Sequence, residues 1–373
     1  MKPLFEPSTP AELAEAVRSA PRVLAVGAGT KPRLARVADD VVKISTARLR
    51  GIVEYEPSEF TFTALAGTPV REIAAALGER GQYLPFDPCF GEAGATLGGT
   101  VAAGVSGPGR FRFGGLRDFI LGVRFVDGGG RLLRLGGKVV KNAAGFDLPK
   151  FFVGSLGRFG ALAEITFKVF PRPVTTRTLR LEVKDVPAMT EIFATAGSAR
   201  WELDALEALP GESAVYARLA GPAVALDALT AEIFARWRGV ALADDAAVKF
   251  WSETTEMSWA HADGSLVKVA LMPSQVPEFV AKIPAAARVR IGAGGNVGYF
   301  SLAAGSTLAA PLAWPAMTLR GAIPLWPGAH SRFEVMAATK AALDPRNRFP
   351  PLDEEAGRCF NPTTEHSAPA RAG

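Results

Sequence analysis

Between Thr96 and Glu164 the chain repeatedly sets glycine beside small hydroxyl residues, in blocks that neither a long helix nor a long strand could accommodate. The blocks are Ala95-Thr96-Leu97-Gly98-Gly99-Thr100, Ser106-Gly107-Pro108-Gly109, Gly115-Leu116-Arg117-Asp118, Lys141-Asn142-Ala143-Ala144-Gly145-Phe146-Asp147 and Gly154-Ser155-Leu156-Gly157, followed by Gly160, Glu164 and Ile165. Upstream, Val23-Leu24-Ala25-Val26 reads as a buried strand running into a further loop, Gly27-Ala28-Gly29-Thr30-Lys31-Pro32.

Glycine permits positive φ and close backbone approach, both of which are needed where amides wrap a pyrophosphate or lie against a planar ring. The hydroxyls add side-chain donors, so two such loops point to FAD. A Gly-x-Gly after a strand is, by itself, more often an ordinary turn into a helix. The Rossmann fingerprint needs a third glycine and an immediate helix, whereas Lys31-Pro32-Arg33 stands here, which argues against that fold.

At 373 residues the chain exceeds the usual size of one core, which favours two domains. A 48% hydrophobic content with 21% charged residues describes a globular protein with a large interior. The net charge of +5 is spread without a basic block or aromatic platform, so nucleic acid is not an expected partner. An anionic cofactor, small carboxylate substrates or an acidic subunit are simpler partners for it. The cysteines are Cys89 and Cys359 alone, too few for a disulfide framework or for the four thiolates of a 4Fe–4S cluster. Any iron–sulfur centre must then lie in another subunit. The N-terminus is broken by Pro3, Glu6 and Pro7, and the small-residue run from Ala93 to Val105 is shorter than the ~20 residues that span a bilayer. Cytoplasmic residence without direct membrane insertion is expected, any association with the inner membrane being peripheral and through partners.

Thr9-Pro10-Ala11-Glu12 predicts a capped helix to about Ala20, and Thr68-Pro69 predicts another that ends before Gly81. Short strands are expected around Val41–Ile44, Gly51–Tyr55 and Phe60–Ala66, and a hairpin around Asp127-Gly128-Gly129-Gly130. Ala161–Phe170 reads as the last strand of a first domain and Pro171-Arg172-Pro173 as its boundary. Beyond it, strands at Leu179–Val183, Ala214–Leu219, Leu266–Leu271 and Met317–Ile323, with a helix at Ala223–Trp237, predict a smaller antiparallel sheet. A last helix is expected from about Arg332 to Leu343. Strands mixed with helices indicate an α+β or α/β architecture.

In their order, the glycine blocks, Ala66-Gly67-Thr68-Pro69 and Leu84-Pro85-Phe86-Asp87-Pro88 resemble the FAD-linked oxidase family, whose flavin domain is shared with vanillyl-alcohol oxidase and p-cresol methylhydroxylase (PCMH). Within it they are most similar to the FAD-binding subunits of bacterial glycolate oxidases. The resemblance covers residues 20 to 175. It implies an α+β fold: a two-subdomain PCMH-type FAD-binding domain over 1–173, a smaller α+β cap over 174–345 for substrate or partner, and an extension over 346–373 returning to the flavin domain. Asp344-Pro345 and Asn361-Pro362 match the turn and motif with which relatives end, here separated by an insertion, and the tail after Pro362 is expected to be disordered. Cofactor contacts are implied at Gly27, Ala28, Gly29, Thr30, Lys31, Asp87, Pro88, Ala95, Thr96, Leu97, Gly98, Gly99, Ser106, Gly107, Arg117, Asn142, Ser155, Gly157, Gly160, Glu164 and Ile165.

The implied activity is FAD-dependent oxidation of glycolate or a related D-2-hydroxy acid, with a catalytic flavin subunit and an iron–sulfur subunit as partners. A self-sufficient FAD oxidoreductase of another small substrate and a non-catalytic assembly subunit are the alternatives. Hydroxy-acid oxidation needs a base for the hydroxyl proton and a cation for the carboxylate. No catalytic residue is identifiable from the sequence. The histidines are His261, His330 and His366, none at metal-ligand spacing, so no metal is expected. With no histidine before His261, and Cys89 reading as a small buried hydrophobe, FAD is expected to bind non-covalently. Trp251, Trp259, Trp314 and Trp326 read as core rather than as stacking partners.

Overall fold

The computed structural model describes residues 5–137, 148–328 and 333–352. Asn142 and the rest of its block, His330, His366, Cys359 and Asn361 lie outside the described residues.

The first helix, α1 (Pro10–Arg18), begins as its sequence predicts: the Thr9 hydroxyl accepts from Glu12 N at 3.2 Å, and the Glu12 carboxylate accepts from Ser8 N at 2.8 Å. Its buried face of Leu13, Ala16 and Val17 lies against β1 (Val23–Val26), which pairs in parallel with β2 (Val42–Ser45). There follow β3 (Ile52–Glu56), β4 (Thr61–Leu65), α2 (Val70–Gly78), β5 (Gln82–Tyr83), α3 (Leu97–Ala103), α4 (Arg110–Phe113), β6 (Ile120–Val126), β7 (Leu132–Gly136), β8 (Ala161–Lys168) and β9 (Phe170–Pro171). Five of these strands form an antiparallel sheet in the order β3-β4-β8-β6-β7, and β5 pairs with β9. The β6–β7 hairpin turns at buried Asp127, whose carboxylate accepts from Gly129 N and Arg131 N, both at 2.9 Å. Phe62, Phe86, Phe119 and Phe167 form the aromatic centre of this core, with Phe86 5.4 Å from Phe119 and 5.8 Å from Phe167 between centroids.

The second half contains β10 (Thr175–Glu182), α5 (Val186–Ser198), β11 (Ala205–Leu209), β12 (Ala214–Gly221), α6 (Ala223–Phe234), β13 (Gly239–Ala241), α7 (Asp244–Glu256), β14 (Ser265–Ala270), α8 (Val276–Lys282), β15 (Arg288–Gly292), β16 (Val297–Leu302) and β17 (Ala316–Arg320). Its sheet is antiparallel, as expected, but it has eight strands, in the order β13-β10-β12-β11-β15-β16-β14-β17, and so is the wider of the two.

Strand alternation divides the residues of this sheet between its faces. Leu206, Ala208, Val215, Ala217, Val267, Val269, Ile291 and Phe300 pack in the core with Met189, Ile192 and Phe193 of α5, Leu226 of α6 and Phe279 of α8. Their strand neighbours Glu207, Tyr216, Arg218, Lys268, Arg290 and Tyr299 therefore project from the opposite face. That face meets α7 and the first half of the chain, where Leu266, Val297 and Tyr299 share a core with Cys89, Phe90, Val105 and Leu156.

The last helix, α9 (Phe333–Leu343), has already returned to the first sheet before residue 346: Leu343 O accepts from Gly128 N at 2.9 Å. Asp344 is fully buried and closes the return, taking Lys340 Nζ at 2.5 Å, Phe349 N at 2.9 Å and Arg348 N at 2.9 Å. Phe349 packs with Leu13 and Val17, and Arg348 O accepts from Val23 N at 2.7 Å. Lys340→Met leaves buried Asp344 its two backbone donors but no cation and also removes the bond from Lys340 to Phe349 O, so urea denaturation should show a loss of about 3–5 kcal/mol, the range for removing one partner of a buried ion pair. An unchanged midpoint would assign the clasp to the backbone contacts alone.

Candidate cofactor cleft and inter-sheet cavity

Two concave sites adjoin the glycine blocks. The first is a cleft of about 80 Å³ lined by Gly27, Ala28, Gly29, Thr30, Lys31, Thr96, Gly99, Ala102, Ala103, Leu156 and Gly157. The β1 strand delivers the Gly27 loop to it, and Thr96, whose hydroxyl caps α3 by accepting from Gly99 N at 3.2 Å, forms the facing wall. A Cβ on Gly27 would enter the van der Waals radius of Thr96 Oγ1, so only glycine lets the walls meet. Lys31 is buried at the mouth of the cleft, its ammonium 3.0 Å from Thr30 Oγ1 and 4.9 Å from the Phe90 ring centroid. Burial pulls its pKa down to about 8, with Cys89 and Glu256 opposing. The hydroxyls of Thr100 and Ser155, next to the lining residues in sequence, are buried without a hydrogen-bond partner. Orphaned donors beside a glycine-walled cleft fit a phosphate-bearing cofactor.

The other sequence-predicted contacts are placed as follows. Leu97 and Gly98 anchor α3 through backbone bonds to Thr68 O and Ala66 O, and Ala95 sits in the shared core. Ser106 and Gly107 line the second cavity, and Pro88 bridges to Ser106 through the backbone. Gly160 leads into β8, where Glu164 pairs with Arg124 at 2.5 Å and Ile165 is buried in the aromatic core, its backbone paired to both neighbouring strands. Arg117 is exposed, and its neighbour Asp118 accepts from Gly115 N at 2.8 Å. Asp87 faces the second sheet, accepting from Arg218 at 2.5 Å and from Gly109 N at 2.8 Å. The structure thus gathers the Gly27, Thr96 and Gly157 blocks but does not bring Asp87, Arg117, Glu164 or Ile165 into the lining of the cleft.

The second site, a cavity of only about 10 Å³, lies between the two halves, lined by Ser106, Gly107, Pro108 and Arg110 on one side and Glu207, Thr254, Met257, Trp259, Arg290, Ala293, Val297 and Tyr299 on the other. Glu207 is 4% exposed, and its Oε1 accepts from Ala293 N at 3.1 Å. Burial pushes its carboxyl up to about 8, against the lowering influence of the Ala293 amide, Arg290 and Arg218. Arg290 is buried and donates to Thr254 Oγ1, with Phe250 and Trp259 rings 5.3 and 5.2 Å from its guanidinium carbon. Nearby, Lys268 Nζ donates to Gly104 O at 2.9 Å, its pKa drawn down to about 8 by burial and by Arg110. Cys89 is buried, and burial raises its thiol to about 12. Of the tryptophans, Trp251 and Trp314 are core as expected, whereas Trp259 lines this cavity. His261 lies in the loop before β14, its N–H donating to Ser301 Oγ at 2.9 Å. Among the described residues no cluster of metal-ligating side chains occurs.

A glycine-walled cleft thus lies in a small α+β half that packs against a broad antiparallel sheet. Residues 2–136 match the family described as FAD binding domain. The glycolate oxidase subunit GlcE of Escherichia coli (strain K12) is 39% identical over 234 residues, 61% of this chain and 62% of that protein. A D-2-hydroxyglutarate dehydrogenase of Xanthomonas citri pv. viticola is 29% identical over 46% of this chain and 36% of its own length. The chain therefore spans just under two thirds of the first of these relatives and about a third of the second. A solved alkyldihydroxyacetonephosphate synthase superposes with a TM-score of 0.66 at 16% identity, covering 92% of this chain and 75% of that one, which shows a common fold. Residues 2–136 thus form an FAD-binding domain, and FAD is its cofactor. No helix among the described residues is long and apolar enough to cross a membrane.

Proposed function

We propose that this chain is the FAD-binding subunit of a glycolate oxidase complex, oxidising glycolate or a related small D-2-hydroxy acid to the 2-oxo acid. Electrons would then pass to an iron–sulfur subunit, with a catalytic flavin subunit as a further partner. The supporting observation is the likeness to a glycolate oxidase subunit over 61% of this chain. The glycine-walled cleft agrees with it, since the orphaned hydroxyls of Thr100 and Ser155 suit the phosphates of the flavin that such an oxidation needs.

In this reading residues 1–173 form the FAD domain and 174–345 the cap, with 346–373 closing back on the first. The Gly27–Lys31 loop, Thr96, Gly99, Ser155 and Gly157 hold the FAD, which when bound supplies the hydride acceptor. Attachment is non-covalent, since no histidine precedes His261 and the Cys89 thiol is held protonated in the core.

The purified chain should show a flavin spectrum that bleaches anaerobically on addition of glycolate or D-lactate. Flavin that dithionite reduces but neither acid does would confine the chain to relaying electrons, and a colourless chain would restore the assembly-subunit reading.

A further inference from the structure

The helix α6 is apolar on nearly every side: within Ala223–Phe234 only Asp227, Thr230 and Glu232 are polar. A helix of that composition is ordinarily covered all round. Here only Leu226 and Ile233 are buried, whereas Val224 is 81% exposed and Ala225, Ala228 and Ala231 face solvent, on the side opposite the buried pair by helical spacing. Along this exposed side runs an open groove of about 850 Å³, walled by α6, the C-terminal end of α5 and the loop from Ala199 to Glu202. Buried Trp201 lines it and is held in place, its Nε1 donating to Glu232 Oε1 at 2.9 Å and its ring centroid 5.3 Å from the Arg236 guanidinium carbon. A preformed wall of this kind lowers the ordering cost of binding.

The charges around the groove select its occupant. Glu202 is paired with Arg112 at 2.7 Å and Glu232 with Arg236 at 3.3 Å, which leaves Arg200, exposed and without an ion-pair partner among the described residues, as the excess charge of the lining. A cation at the edge of an apolar groove favours a carboxylate beside an apolar surface. A second copy of the chain suits it poorly, because a symmetric contact sets the same arginine of both copies into one interface. The twelve residues of α6 offer about 18 Å of contact, enough for about three turns of a docked helix. We propose that the groove and the exposed side of α6 receive an amphipathic helix of another polypeptide chain, its apolar face against Val224, Ala225 and Ala228 and a flanking aspartate or glutamate on Arg200. The docking surface stands on this chain alone, whereas the assignment of its occupant to the oxidase complex rests on the reading above.

Photo-cross-linking in the cells that make this protein, from p-benzoylphenylalanine in place of Ala228, identifies by mass spectrometry the segment that lies on α6. The expected cross-link joins position 228 to a different chain, at a segment with apolar residues at helical spacing and an acidic flank. That segment, made as a labelled peptide, should bind the purified full chain, and R200E should bind it about tenfold more weakly and with less dependence on salt. The double variant A225Q/A228Q, which keeps good helix formers at exposed positions, should unfold at the wild-type urea midpoint yet bind the peptide at least about tenfold more weakly. No cross-link, a cross-link between two copies of this chain or to a segment without an acidic flank, or a peptide that binds either variant as tightly as the wild type overturns the proposal. Flavin reduction enters none of these measurements, so a chain that glycolate fails to reduce would lose the oxidase reading while the docking surface stands.

Discussion

Arg218→Met is expected to lower the unfolding free energy by about 3–5 kcal/mol at pH 7.5, the range for removing one partner of a buried ion pair. The guanidinium lies 2.5 Å from Asp87 in the first half of the chain and 2.7 Å from Asp204 in the second, and 4.9 Å from the Trp251 ring centroid. Methionine preserves much of the stem packing but leaves two carboxylates facing each other in a half-closed interface. Asp204 already titrates above its ordinary range because of burial, with Arg218 opposing the shift. Without the cation the shift grows. A carboxyl whose folded pKa is raised is tolerated when protonated and becomes costly as the pH rises through the carboxylate range, so the variant should lose less stability at pH 5 than at pH 7.5. Urea denaturation at the two pH values gives the answer, and equal stability of variant and wild type at pH 7.5 would refute the clamp.

The cofactor half was legible because its signals are local. Thr9 and Glu12 announce α1, Val23–Val26 runs into a loop whose glycines are needed within a few residues, and the Asp127 turn fixes the β6–β7 register. The cavity was not legible, because it joins residues that are remote in sequence. Glu207 and Tyr299 lie on different strands of the second sheet, and Arg110 lies on a helix of the first half. Ala205-Leu206-Glu207-Ala208-Leu209 consists of good helix formers, so propensity points away from the strand it forms, which tertiary pairing with β12 imposes. One signal was available. A glutamate inside an apolar strand, like Lys268 in Ser265–Ala270 and Arg290 in Arg288–Gly292, marks the face of the sheet opposite the one that packs on α5, α6 and α8. Taken together, these charges would have indicated that the second sheet turns a polar, buried face towards the flavin half. Asp87, read from its glycine- and proline-rich block as a cofactor contact, has an ion-pair partner, Arg218, that is far away in sequence.

Gly27→Ala should remove bound FAD while leaving the fold in place. The loop follows β1, whose parallel pairing with β2 does not involve Gly27, so secondary structure should persist while the unfolding midpoint of the cofactor-free chain falls by the cost of the clash. The added methyl has nowhere to go except into Thr96 Oγ1, on the opposite wall of the cleft. Overpacking of this kind costs about 1–3 kcal/mol, and since it falls on the cofactor-binding wall it should weaken FAD affinity by roughly 10–100-fold. Thr96→Ala provides the internal control. Alone it removes the cap on Gly99 N, a loss of about 1 kcal/mol, and should leave most of the flavin bound. Combined with Gly27→Ala it removes the atom that the new methyl meets, so the double variant should hold more FAD than Gly27→Ala alone although it carries a second lesion. That reversal separates a steric wall from a general loss of loop order. A Gly27→Ala protein that purifies with the wild-type ratio of flavin to protein would mean that the cofactor lies elsewhere than against this loop.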